Sequence, residues 1–242
     1  MMPMDFSRRS DQKELLDRDD IPFGDIRRNM RELDFINTWL GGHAISIQGL
    51  KTLLDNHKPD PGKPIRICEI GCGGGDNLRV LYRWCLDKDI KATILGIDLN
   101  PHCIAVAEEK WPGENARWIC SDYRRISFDD SEENKPDIIF SSLFCHHFSD
   151  KELVGMLQWM DHSSKIGWFI NDLHRHRLAW QSIRLLTALF SKSYLVKNDA
   201  PLSVLRGFKR REWEQILETA VIDNYSLRWK WAFRWLTTRN KP

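Results

Sequence analysis

Apolar positions change their period along the chain, and the changes mark its parts. Within the stretch from Asp25 to Leu54, residues Ile26, Met30, Leu33, Ile36, Trp39 and Leu40 recur at helical spacing. "NHKPDPGKP" then breaks the pattern with three prolines and a glycine, as a linker does. Beyond it, short apolar runs alternate with helical patterns. "IRICEI", "ATILGIDL", "ARWICSDY", "PDIIFSSL" and "KIGWFIND" read as strands; "DNLRVLYRWCLDK", "PHCIAVAEEKW" and "KELVGMLQWM" read as helices, with Pro101 suited to a first turn. Strands separated by helical stretches of about 10–15 residues predict βαβ units and a parallel sheet, so the fold class is α/β.

After Asp172 the pattern shifts. "RLAWQSIRLLTALFSKSYLV" is helical and strongly apolar, "NDAPLSVLRGF" reads as an irregular connection around Pro201 and Gly207, and "KRREWEQILETA" is a helix. Near the end, Trp229, Trp231, Phe233 and Trp235 alternate with Lys230, Ala232, Arg234 and Leu236, which predicts a strand or hairpin with one aromatic, packed face. The interleaved cations leave a single-stranded nucleic acid as a minor alternative. The chain shows no internal repeat and no low-complexity segment.

Composition narrows the class. A chain of 242 residues with 42% hydrophobic and 29% charged positions suits one large α/β domain or two small ones. No apolar run reaches the ~20 residues that span a bilayer, and the first residues lack the apolar core of a signal peptide. Six cysteines without a CxxC or ligand-like histidine pairing fit a reducing compartment, the cytoplasm, with no metal expected; Cys68 and Cys120 read as buried thiols. The net charge of +2 hides an asymmetry. Nine acids fall within the first 35 residues, whereas residues 174–211 carry nine Lys/Arg against one acid, Asp199. Such a basic segment is a solvated face or attracts an anionic substrate, a nucleic acid or a membrane surface.

The chemistry concentrates in "ICEIGCGGGDN", residues 67–77. A phosphate-gripping P-loop needs a lysine and a hydroxyl that are missing here. The dinucleotide fingerprint needs a third glycine where Asp76 stands, and an acid at that helix start opposes a pyrophosphate. Glu69, Gly71, Gly73 and Gly75 leave an ExGxGxG pattern, and Asp98 ends the next strand 23 residues after Gly75.

This pattern resembles motif I of the class I S-adenosylmethionine (SAM)-dependent methyltransferases. The resemblance implies that Glu69 helps hold the cofactor's amino group, with Gly71, Cys72, Gly73, Gly75 and Asn77 forming the loop around it. It makes Asp98, beside Leu99, the acid for the ribose hydroxyls, Asp122 the acid near the adenine and Tyr123 its neighbour. Ser141, Ser142 and Leu143 would approach the cofactor from the fourth strand. From the residues alone, Asp98 equally suits a helix cap before Asn100-Pro101, and Asp122 a turn. The implied fold, over residues 62–238, is a Rossmann-like, seven-stranded, mostly parallel sheet with one antiparallel strand and helices on both faces. Residues 1–54 become an N-terminal helical cap, 55–242 the SAM-binding domain, and 174–208 a substrate-lid insertion.

The implied reaction is methyl transfer from SAM to a hydroxyl of a small aromatic, polyketide-like or lipid-like acceptor, as in bacterial small-molecule O-methyltransferases. The apolar stretch from Leu178 to Phe190 would shape the acceptor pocket. His146, after the fourth strand, would take the acceptor proton, and Asp172, ending the fifth, would orient it. His147, then His174 and His176, are the alternatives, and Arg8 and Arg9 could close over the cofactor carboxylate. An NPPY-like tetrapeptide for a planar base nitrogen is missing, since "SSLF" stands there. Methylation of RNA or protein, and a SAM-binding module without catalysis, remain the other readings; the assembly state is monomer or homodimer.

Overall fold

Glycine and proline cut the chain where its strands and helices end, and the architecture follows those cuts. The structure, a computed structural model, describes residues 5–18, 20–111, 113–128 and 135–241. Seven strands form one sheet: β1 (Ile65–Ile70), β2 (Ala92–Asp98), β3 (Ala116–Cys120), β4 (Ile138–Ser142), β5 (Gly167–Leu173), β6 (Tyr225–Lys230) and β7 (Arg234–Asn240). Their order is β3-β2-β1-β4-β5-β7-β6. The first five run parallel, while β7 enters antiparallel between β5 and β6, placing Trp235 opposite Asp172 and Arg234 opposite Leu173. The C-terminal ends of β1, β2, β4 and β5 therefore share one rim, where open α/β sheets bind ligands.

Eight α-helices accompany the sheet among the described residues. They are α1 (Phe23–Trp39), α2 (Gly42–Asn56), α3 (Asp76–Leu86), α4 (Pro101–Lys110), α5 (Asp150–Ser163), α6 (Arg177–Phe190), α7 (Tyr194–Arg206) and α8 (Arg210–Thr219). One face of the sheet packs residues of α2, α3 and α4 against Ile67, Phe140 and Phe169; the other packs α5 and α8 against Cys68, Ile139 and Trp168. Burial of these side chains, each worth ~1.5–3 kcal/mol, fixes both layers.

The helical stretch from Asp25 to Leu54 is two helices, because Gly41 adopts φ +74° and restarts the chain. α2 lies on the sheet against β5 and β7, so closely that a Cβ on Gly49 would stand 2.5 Å from the Phe169 ring. Gly49→Ala should therefore cost about 1–3 kcal/mol by overpacking, read as a lower midpoint in chemical unfolding. α1 instead packs on α4 through Ile26, Met30, Cys103 and Val106.

Three expectations change. "NDAPLSVLRGF" is not irregular: it belongs to α7, which keeps Pro201 in its interior. Its buried contacts, among them Leu195, Val196 and Val204, hold the helix despite the missing donor. The aromatic alternation near the end is the expected hairpin, β6 and β7 with the turn between them. Trp235 is buried, but Trp231 sits in the turn at 71% exposure, so the aromatics form no single packed face. Cys68 is buried as expected; Cys120 is exposed, because β3 is an edge strand. No helix among the described residues is long and apolar enough to cross a membrane.

Candidate active site

The glycine loop between β1 and α3 is built by backbone conformations that favour glycine. Gly71, Gly73 and Gly75 have φ of +67°, +52° and +73°, and a Cβ on Gly71 would overlap the Phe144 ring. Glu69 ends β1 almost fully buried, with Oε2 lacking a hydrogen-bond partner. Burial pushes its carboxyl well above the usual range, and Asp76 and Asp98 add to the effect. Asp98 accepts from the backbone N–H of Gly73 at 2.8 Å and of Asn100 at 2.9 Å; its pKa is also raised, chiefly by burial. An orphaned carboxylate oxygen beside two further acids suits a ligand with positive charge and repels a pyrophosphate. The loop therefore fits SAM, with its ammonium and sulfonium, and Glu69, Gly71, Gly73, Gly75 and Asp98 are the residues that would hold it.

The other expected cofactor residues lie in different settings. Cys72 is buried in the loop, and Leu99 is exposed beside Asp98. Asp122 faces the same rim but grips Arg124 through its side chain and caps a 3₁₀ turn at Tyr123–Arg125. Tyr123 packs edge-on against Phe148 and Trp159, and its phenol is pushed up to about 12 by burial. Ser141 turns its hydroxyl to Cys145, and Ser142 accepts from Asn171. Leu143 takes φ +54°, a conformation that costs a non-glycine residue of the order of 1–3 kcal/mol and turns the chain from β4 into the next segment. Asn77 accepts from His43, whose other nitrogen meets Asp34 at 2.9 Å. That link ties α1 and α2 to the loop and has no signature in the sequence.

Past the ends of β4 and β5, where Leu143, His146 and Leu173 reach it, lies a cavity of ≈ 350 Å³. Its walls include Leu33, Ile36 and Leu40 of α1, Ala179, Ile183 and Leu186 of α6, Val196 and Val204 of α7, and Phe233 of the hairpin turn. α6 divides its apolar residues between this wall and the surface, where Leu178, Leu185, Leu189 and Phe190 are more than half exposed. Glu14, His146, His147 and Asp199 supply polar groups to the lining, and Leu143 joins it from the cofactor side.

His146 and Asp172 meet as expected from their strands. Nδ1 of His146 lies 2.8 Å from Oδ1 of Asp172, both side chains being buried. Burial works against the imidazolium, but Asp172, then Glu14, outweigh it and raise the His146 pKa to about 9. Asp172 is correspondingly held below the usual carboxylate range, against its burial, by His146. Nε2 of His146 points to Glu14, 3.4 Å from its Oε1. His147 turns Nδ1 to Asp17 at 3.0 Å and Nε2 to Glu14 at 3.6 Å.

Glu14 is the site residue that sequence reasoning missed. It lies in a strap, residues 5–18, that crosses the rim and is clamped by the lid. Asp199 accepts from the N–H groups of Leu15 and Leu16, Ser203 donates to Glu14 at 2.7 Å, and Arg206 binds the carbonyls of Gln12 and His146. Acidic patterning was visible there, but nothing local marks one acid among nine.

Arg8 and Arg9 do not reach the cofactor loop. Arg9 binds the carbonyls of Phe148 and Arg206 and the carboxylate of Asp150, while Arg8 is exposed beside Asp5. His174 accepts from the Trp229 indole, and His176 caps α6 while stacking on Phe233, so both serve the lid's framework. In the basic segment, Arg175 and Arg206 are buried in carbonyl and carboxylate contacts, so it is not simply a solvated face.

Comparison with known proteins bears on the fold. A family model described as a methyltransferase domain matches residues 67–167. Among solved structures, the plantazolicin methyltransferase BpumL in complex with SAH is similar, with 18% identity, TM-score 0.62, and 90% of this chain and 89% of that one covered. Magnesium protoporphyrin IX methyltransferase (ChlM) from Synechocystis PCC 6803, with bound SAM, follows at 12% identity and TM-score 0.53, covering 84% and 80%. Human N-acetylserotonin methyltransferase in complex with SAM matches at 17% identity and TM-score 0.57, covering 91% of this chain and 56% of that one. Among curated protein sequences, none matches the chain.

Proposed function

We propose that this chain is a class I SAM-dependent methyltransferase that transfers the methyl group to a hydroxyl of a small, largely apolar acceptor. The observation that carries this reading is the ≈ 350 Å³ cavity, walled by Ile36, Ile183 and Val204 and lined at one side by His146. SAM, when bound, supplies a methyl group on a positively charged sulfur, reactive toward a nucleophile in line with the departing thioether. The protein's part is to bind, align and exclude water.

Glu69, Gly71, Cys72, Gly73, Gly75 and Asn77 form the cofactor's cradle in this proposal. Asp98 and Leu99 flank the ribose, Asp122 and Tyr123 the adenine end, and Ser141, Ser142 and Leu143 the side that faces the cavity. His146 faces the acceptor hydroxyl and assists loss of its proton, and Asp172 fixes its ring through Nδ1. The cap over the acceptor is drawn from the N-terminal residues through α1 together with residues 174–208, while α2 serves the sheet. Six free cysteines support a reducing, cytoplasmic setting.

Filling the cavity tests the reading. Ile183→Trp should raise the KM for apolar phenols such as naphthols about tenfold or more, equivalent to ~1.4 kcal/mol or more, with SAM affinity unchanged by calorimetry. SAM binding without turnover of any hydroxyl compound would favour a binding module and sink the proposal. Turnover insensitive to Ile183→Trp would place the acceptor elsewhere.

A further inference from the structure

Three side chains converge on one side of the cavity, and their arrangement is that of a ligand set. A ring nitrogen of His146, a ring nitrogen of His147 and a carboxylate oxygen of Glu14 lie within 4.8 Å of one another, and all three residues line the cavity. Each histidine has its other nitrogen held by a carboxylate: Asp172 at 2.8 Å for His146 and Asp17 at 3.0 Å for His147. Metal-bound histidines are oriented in this way, because a carboxylate on Nδ1–H fixes the tautomer that leaves Nε2 free to ligate.

Distances discriminate between a ligand set and a plain ion-pair network. The contacts between Glu14 and the two Nε2 atoms are 3.4 and 3.6 Å. Charge-assisted N–H···O bonds close to ~2.7–2.9 Å when the groups are free to meet. Ligands at about 2.0–2.2 Å around a tetrahedral ion stand roughly 3.3–3.6 Å apart. The Nδ1–carboxylate contacts do reach hydrogen-bond length, so the longer spacing is confined to the Nε2 atoms, one against each oxygen of Glu14.

We propose that Glu14, His146 and His147 bind a divalent transition-metal ion, zinc by its donor set, with at least one coordination position open toward the cavity. Three carboxylates, Glu14, Asp17 and Asp172, surround the spot, against the Arg206 guanidinium 3.9 Å from Glu14, and a dication that takes the place of protons on the imidazoles would balance them. Two imidazoles and one carboxylate with an open position match a catalytic zinc site rather than a structural one. Magnesium and calcium, which take oxygen ligands, are disfavoured.

This deepens the proposed function and rests on it for the acceptor's location. The ion takes the acceptor's hydroxyl oxygen as a ligand and lowers its pKa as it does for bound water. The O–H bond breaks and its proton leaves to solvent; the oxygen then forms the O–CH₃ bond as the S–CH₃ bond breaks. His146 thus acts through the ion it holds, and Asp172 and Asp17 are positioning residues.

The test uses untagged, chelator-treated full-length protein titrated with Co²⁺. We expect one equivalent to bind with the visible absorption of a four- or five-coordinate site, displaced by Zn²⁺. Glu14→Gln and His147→Asn should abolish the band, and Asp17→Asn should weaken binding ~10–100-fold, while SAM affinity stays constant in all three. Absence of the band in wild type, or its persistence at full strength in both ligand variants, overturns the site. Methylation at full rate after chelation also overturns it but leaves the proposed function standing. A normal Co²⁺ spectrum supports the site, and lack of turnover with or without metal would then sink the proposed function alone.

Discussion

Asp172→Ala should lower the unfolding free energy by about 3–5 kcal/mol, the cost of stripping one partner from a buried ion pair. The carboxylate is fully buried at the end of β5. One oxygen holds His146 Nδ1 at 2.8 Å and the Leu173 N–H at 2.7 Å, and the other receives the His146 N–H at 3.3 Å. Arg234, buried on the neighbouring strand β7, has its pKa lowered to about 10 by burial, with Asp172 working in the opposite direction. Removal of Asp172 therefore leaves two cationic groups in a medium that solvates them poorly. At roughly 2–4 °C per kcal/mol for a chain this size, the midpoint should fall by about 6–20 °C. Methyl transfer should fall by ~10²–10⁴, the range for a group that assists proton loss. Asp172→Asn separates shape from charge, because it keeps the size and one acceptor. It should recover part of the stability and little of the rate. Wild-type values of both in Asp172→Asn would show that ionic pairing at this position is unimportant.

Gly71→Ala should reduce SAM affinity by on the order of 100-fold, about 2.7 kcal/mol. Two effects act together. The φ of +67° places an alanine in the left-handed region, and its Cβ would drive into the Phe144 ring. Phe144 follows Leu143, already in a strained conformation, so the segment has little freedom to retreat. Phe144→Ala combined with Gly71→Ala relieves the overlap but keeps the backbone cost. Calorimetry should show the double variant binding SAM more tightly than Gly71→Ala and more weakly than wild type. Equal affinity of the single variant and wild type would remove Gly71 from the cradle.

The parts of the fold that were legible in the sequence are those governed by local rules. β1 and the loop after it could be read because buried strands are short apolar runs and left-handed turns favour glycine. His146 and Asp172 were accessible for a related reason: each follows or ends a strand in a parallel sheet, and adjacent parallel strands bring such ends together. What escaped was set by tertiary contact. α7 was hidden because Pro201 is a local breaker, here overridden by the packing of Leu195, Val196 and Val204, whereas Gly207 does end the helix. The exposure of Trp231 was hidden because the period of two runs on through the hairpin turn and does not show which side chains the turn leaves in solvent. Glu14 escaped because the groups that give it meaning, His146, Ser203 and Arg206, are far away in sequence. The Asp34–His43–Asn77 link was invisible for the same reason, joining two helices to the loop by polar atoms alone.

The strap has a consequence for synthesis in the cell. Glu14 leaves the ribosome long before Ser203, its hydrogen-bond partner 189 residues later. At about 5–20 residues per second, that interval is roughly 10–40 s. During this time the strap has no lid helix to hold it, and β7, which must slide between β5 and β6, has not been made. The candidate site is thus among the last parts of the fold to be completed, and a nascent chain gains its cavity wall only when the strap, the lid helices and the hairpin turn have docked.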